Sequence, residues 1–233
     1  MKLLNSGNYK TKKGESLGWK TFGIHLAPAR VSGLNACRHA TPGCAAACLN
    51  TAGRGAMSNV QKARIAKTLY FFKKRHEFLS NLKNEIRSAI KSCEKSGMNP
   101  CFRLNLTSDI PFHKFGIMEE FSNYKFYDYT KDYNRALQFV RGELPSNYHL
   151  TFSRAETKES QEQAEELLSH GMNVAMVFRK RLPSHWKGFR VVDGDSTDLR
   201  FLDAKGVIVG LVEKGRAKKD ESGFVIEEHL QAP

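Results

Sequence analysis

Beyond Pro100, short apolar segments alternate with single amphipathic stretches, and this alternation constrains the fold more than any other feature. Segments 101–107, 125–130, 148–153, 173–178, 189–194 and 206–212 read as strands. Segments 113–122, 131–142 and 157–170 lie between them and read as helices. Strand, helix and strand in succession make right-handed parallel units. One earlier strand is expected at 21–27, which brings the count to about six or seven mostly parallel strands. The expected class is α/β: a full or partial β/α barrel with an N-terminal cysteine loop. An open, doubly wound sheet is the alternative. The 233 residues suit a single domain. Within it, 1–56 hold the first strand and the cysteine loop, 57–99 a helical segment, and 100–233 the alternation.

From 58 to 96 the pattern is helical and rich in Lys, Arg, Leu, Ile and Phe. An unbroken helix of that length would run about 60 Å, so a break is expected near Lys73–Arg75. Gly97 and Pro100 then stop it. Residues 1–100 carry 18 Lys and Arg against 4 Asp and Glu, a net +14, whereas the whole chain is +13. A basic half of this kind suits an anionic partner, nucleic acid above all, or is simply a solvated face. Lys67, Lys74 and Lys91 are expected to present charge from this stretch; at 100° per residue Lys67 and Lys74 lie about 20° apart, with Lys91 about 100° from Lys74. Apolar residues make up 40%, enough for a sizeable core, so the chain is not a disordered one. Without a long apolar run or a secretory-type leader, no membrane partner is expected and the protein is placed in the cytoplasm.

Nearly every strand candidate ends in polar residues: Asn105, Thr107, Ser108 and Asp109; Asp128, Thr130 and Lys131; Thr151, Ser153 and Arg154; Asp193, Asp195 and Asp198; Glu213 and Lys214. Ligands of α/β folds bind outside the carboxyl ends of the strands. Asn105, Thr107, Asp109, Asp128, Thr151, Ser153 and Asp193 are therefore the candidate binding residues, with Asp109, Asp128 and Asp193 expected near one another. Ser108, Thr130 and Thr197 suit helix caps instead.

Of five cysteines, Cys37, Cys44 and Cys48 lie within twelve residues, spaced C-x6-C-x3-C. An odd number in a cytoplasmic chain argues against a disulfide framework. Thr41 is a good N-cap and Pro42 a good first helical residue, so a short helix should carry Cys44 and Cys48 on one face as far as about Asn50. The amides of its first turn would favour a thiolate and could donate to inorganic sulfides. Three such thiolates suit an iron–sulfur cluster with one iron left open. Two other readings stay open on spacing alone. His39 would complete a structural zinc site, and in that case the protein would be a nucleic-acid-binding module. The helical pair could instead be redox-active or inert. Cys93 and Cys101 read as packing residues.

The segments LGWKTFGIHLAPA, SGLNAC, GCAAACLNTAGRG, RLNLTSDI, FYDYTK, YHLTFS, VVDGDSTDLRFLD and IVGLVEKGRAK, in this order from Leu17 to Phe224, resemble the phage family called gene product eighty-eight. That resemblance implies a phage origin, hence the host cytoplasm, and little chemistry. A weaker resemblance is to radical S-adenosylmethionine enzymes, which carry three cysteines on a loop after the first strand of a partial barrel. It implies that Cys37, Cys44 and Cys48 hold a [4Fe-4S] cluster whose open iron binds S-adenosylmethionine, in an enzyme of unspecified substrate. The spacing departs from that family's C-x3-C-x2-C, and no Gly-Gly-Glu ends the second strand.

Overall fold

A computed structural model describes residues 1–7 and 9–227. The strands are β1 (Leu4–Asn5), β2 (Trp19–Ile24), β3 (Asn99–Arg103), β4 (Lys125–Thr130), β5 (Tyr148–Ser153), β6 (Val174–Phe178), β7 (His185–Trp186), β8 (Phe189–Asp193), β9 (Ile208–Val212) and β10 (Val225–Ile226). The helices are α1 (Tyr9–Lys12), α2 (Pro42–Ala46), α3 (Ser58–Lys73), α4 (Arg75–Ser96), α5 (Ile117–Glu120), α6 (Tyr133–Val140) and α7 (Lys158–Ser169).

The strands form one mostly parallel sheet in the order β1-β2-β3-β4-β5-β6-β9-β8-β7, with β10 beside β6. From β2 to β6 each strand pairs with its successor in the chain, the sequential order of a barrel lap. The sheet is nevertheless open, which corrects the expectation of a full barrel. Two-residue antiparallel strands occupy both ends, β1 on β2 and β7 on β8. Such short strands end a sheet without offering a further template. Chain order also fails at the far end, where β9 inserts between β6 and β8.

The doubly wound alternative fails for a different reason. Phe71, Phe78, Leu82, Ile117, Met118, Ala136, Ala164 and Leu167 come from α3 to α7, and all join one apolar cluster with Phe102, Phe126, Leu150, Phe152, Val174 and Ile208 of a single sheet face. Phe22, Phe102 and Phe126 are register partners across β2, β3 and β4. Their rings stack with centroids 5.9 and 5.2 Å apart. The opposite face carries Thr21, Cys101 and Tyr127, and the 198–202 segment covers it. Asp198 accepts from Arg103 at 2.9 Å and from Tyr127 at 3.2 Å, and Leu199 packs on Cys101 and Tyr127.

The expected helix break falls at Lys74, whose φ of −137° and ψ of 53° leave the helical region. Phe71 and Phe78, 5.3 Å apart, pack across this break and anchor both helices on the core. Gly97, in the left-handed conformation at φ 66°, ends α4. The break also sets Lys67 on α3 and Lys91 on α4, so Lys67, Lys74 and Lys91 share no common helical face. Other basic groups are engaged internally: Arg64 is buried on Asn50, and Lys83 and Arg87 both pair with Glu120. Among the described residues no helix is long and apolar enough to cross a membrane.

Phe102 is wholly buried between two stacked rings, so Phe102→Ala should cost about 3–5 kcal/mol. Urea unfolding measures it; a loss below about 1 kcal/mol would mean that the stack is not central to the core.

Candidate metal centre

The three clustered cysteines lie over the carboxyl edge of the sheet, each held by a different constraint. Cys37 follows a turn, its N–H donating to Asn35 Oδ1 at 3.0 Å and its thiol lying 3.8 Å from the Thr107 carbonyl. Thr107 Oγ1 donates to the Leu26 carbonyl at 2.6 Å, and the Asp109 N–H to the Ala36 carbonyl at 2.8 Å. These bonds clasp the exits of β2 and β3 around Cys37.

Cys44 is the third residue of α2. Thr41 caps that helix, accepting the Cys44 N–H at 3.3 Å, with Pro42 first in the helix as expected. A residue that sequence reasoning missed completes the cap: Glu156, just beyond β5, accepts the Gly43 N–H at 2.8 Å and the Thr41 hydroxyl at 2.6 Å. A β-carbon at Gly43 would lie 2.6 Å from Glu156 Cδ, so glycine permits the approach. A signal for Glu156 was available: α2 has no acid in its first turn, and a helix start attracts one. The amides of Gly43 and Cys44 are thus already engaged and are not available to sulfides. Helix α2 also ends at Ala46, so Cys48 stands beyond it and not one turn above Cys44 on the same helix. The Ala run is too short to extend the helix past a non-helical Cys48 at φ −57°, ψ 132°.

All three thiols are reduced and partly buried. Burial pushes Cys37 up to about 12, and the charges of Asp109, Cys48 and Cys44 add to it. Burial also raises Cys44, against the pull of Lys131, and Cys48, against a backbone bond at Asn50 and the charge of Arg64. The thiolate-favouring helix start expected for Cys44 is therefore outweighed by desolvation. Lys131 is the second residue whose role was not read from sequence. Its ammonium donates to Ser153 O, Ser153 Oγ and Arg154 O at 2.8, 3.1 and 2.9 Å. Burial lowers its pKa while Cys44, Asp109 and Glu156 hold it up.

The remaining expected site residues divide. Asp109 pairs with Arg135 and accepts from the Lys131 N–H at 2.9 Å, close below the cysteines. Asn105 and Asp128 are occupied with each other. Asp128 accepts the Asn105 N–H at 2.8 Å, Asn105 Nδ2 at 3.0 Å and Tyr148 OH at 3.3 Å, while Asn105 Oδ1 accepts from Ser108 and Ile110. Thr151 is fully buried, and its Oγ1 has no protein partner. Asp193 is not brought to the others. It stands four strands from Asp128, exposed, accepting the Asp195 N–H. The cap expectations also move: Asp132 and Thr157 cap α6 and α7, whereas Thr130 and Thr197 make local turns. His39 faces Asp132 at 3.6 Å. Among the described residues no three His, Cys, Asp or Glu side chains are set to hold a single metal ion. Zinc demands sulfurs gathered on bonds of about 2.3 Å.

Fold and site together define an open α/β protein with three thiols at the carboxyl edge of a singly wound sheet. The family described as Gene product 88 matches residues 2–228, and the chain belongs to this bacteriophage family. No curated protein and no solved structure matches it significantly, and the likeness to radical S-adenosylmethionine enzymes gains no support.

Burial pushes the Asp128 carboxyl up to about 7, against the donors of Asn105 and the charges of Arg103 and Arg135. The folded chain thus keeps a proton that the unfolded chain releases near pH 4. The stability linked to it is complete below about pH 4 and is lost as the pH rises through about 7. Buried His25, His113 and His149, held neutral down to about 3, 4 and 4, work in the opposite direction. Subtracting the Asp128→Asn stability curve from that of wild type isolates the carboxyl. The difference should fall between pH 4 and 7; a flat difference would mean that Asp128 is ionised in the fold.

Proposed function

We propose that this protein is a phage-encoded iron–sulfur protein in which Cys37, Cys44 and Cys48 hold a [4Fe-4S] cluster at the edge of the open sheet. The observation that carries this reading is three free thiols on one twelve-residue stretch, with the charges of Cys44 and Cys48 acting on Cys37 and that of Cys48 on Cys44. A cluster held by three thiolates leaves one iron for a ligand, and so supplies redox or Lewis-acid chemistry to an enzyme of this kind. The chain's own residues prepare the place. Glu156 and Thr41 fix the start of α2 and with it Cys44. The Lys131 ammonium, buried beside Cys44, offsets negative charge on the thiolates. Arg64 does the same for Cys48. Partial burial limits the access of water and oxidants. S-Adenosylmethionine fits less well as a co-substrate, because Asn105, Thr107 and Asp128 spend their polar groups on internal bonds.

The cytoplasm of the host is the compartment this reading requires, since it keeps thiols reduced. Anaerobic reconstitution with iron and sulfide tests the proposal. The expected product is brown, absorbs broadly near about 400 nm, bleaches with dithionite and contains iron with acid-labile sulfide. Cys37→Ala, Cys44→Ala and Cys48→Ala should each lose it. Cys93→Ser and Cys101→Ser should keep it, because both thiols are fully buried away from the edge. Zinc without sulfide, released by the same three mutations, would overturn the cluster and favour the zinc-bearing, nucleic-acid-binding alternative.

A further inference from the structure

A second feature adjoins the cysteines and is not explained by them. Where β1 and β2 meet the first turns of α3, a cleft of about 250 Å³ is lined by Asn5, His25, Asn59, Arg64 and Lys67 among its polar residues. Small side chains, Val60 and Ala63, leave it open on the helix side. Two cations line this cleft and no carboxylate does. Glu85, the acid that Lys67 senses, is occupied with the N–H groups of Leu3 and Leu4 at 2.8 Å each.

Two buried nitrogens here lack a protein partner, Arg64 Nε and His25 Nδ1. Arg64 is only 8% exposed, and its Nη1 is spent on Asn50 O and Oδ1 at 2.6 and 2.5 Å. A buried guanidinium with a free edge is costly unless something accepts from it. Helix α3 itself adds donors. Its N-cap, Met57, makes no side-chain cap, and its first turn has no acid. Asn59 Oδ1 takes the Val60 N–H at 2.9 Å, but no acid of the first turn offsets the positive end of this sixteen-residue helix.

We propose that this cleft binds the phosphate group of a small ligand. Donors approach from three directions: the α3 start, the Arg64 and Lys67 side chains, and His25 from the exit of β2. Burial and the nearby charges of Arg64, Arg103 and Lys67 hold His25 neutral down to about 3, so it enters as a hydrogen-bonding imidazole and not as a third cation. A tetrahedral dianion can use donors spread in this way, whereas a planar carboxylate uses two that lie in its plane. The charge of Cys48 also acts on Arg64, so the cleft adjoins one of the three thiols.

The experiment is isothermal titration of the full chain, without reconstitution, with inorganic phosphate at low ionic strength. Saturable 1:1 binding is expected. Lys67→Gln should weaken it at least tenfold, and the exposed-site control Lys91→Gln should leave it unchanged. Arg64→Gln should abolish it. Since Arg64 also braces Asn50, Lys67→Gln decides the matter if the Arg64 variant does not fold. Cys48→Ala should retain phosphate binding, which separates this result from the fate of the cluster. Absence of saturable binding, or equal weakening by Lys91→Gln, would overturn the site. Acetate binding as tightly as phosphate would overturn the ligand class.

Discussion

Parallel pairing from β2 to β6 makes each connection return across the sheet before the next strand begins. Right-handed crossovers repeated without a reversal put α3 to α7 on one face, where the phenylalanines of β2, β3 and β4 stack in register. The same constraint brings every parallel strand out on one edge. Loops that are distant in the chain meet there without any pairing of their own. The cysteine loop, the turn after β3 and the segment after β5 become neighbours for that reason.

Charge at this edge is largely consumed by the protein itself. Asp109 is held by Arg135, Asp128 by Asn105 and Tyr148, and Asp198 by Arg103. Buried ionic groups require partners of this kind, because an unpaired charge loses its hydration without compensation. Polar strand ends are thus ambiguous evidence for a binding site: internal bracing and ligand contact call for the same residue types. The groups that retain capacity are fewer. Among the described residues they include the three thiols, with Lys131 beside Cys44, Thr151 Oγ1, and the unpartnered edges of Arg64 and His25.

Burial and electrostatics pull against each other at the thiols. Desolvation favours the protonated form of all three, whereas Lys131 and Arg64 favour the thiolates. The proposed cluster would resolve that conflict by replacing the protons, and the cations would then balance the charge that remains. Cys93 and Cys101 show the contrast. Both are wholly buried, and Cys101 is pushed up to about 12 among Thr21, Tyr127 and Leu199. Burial without a convergent partner gives an inert packing thiol.

Much of this protein was legible in the residues alone: the parallel α/β class, the strand and helix segments beyond Pro100, the break at Lys74, the stop at Gly97, and the Thr41–Pro42 start of the cysteine helix. Each depends on backbone preference or on which face of a short segment is apolar, and both are local properties that the sequence states directly. The tertiary structure alone decided that β9 lies between β6 and β8, so that the sheet ends open. It also decided that Asn105 and Asp128 brace each other while Asp193 stands apart, that Glu156 holds the start of α2, and that Arg64 turns inward to line a cleft. These outcomes depend on which distant groups become neighbours. Strand pairing, desolvation and charge pairing act through space, and no period or spacing along the chain records them.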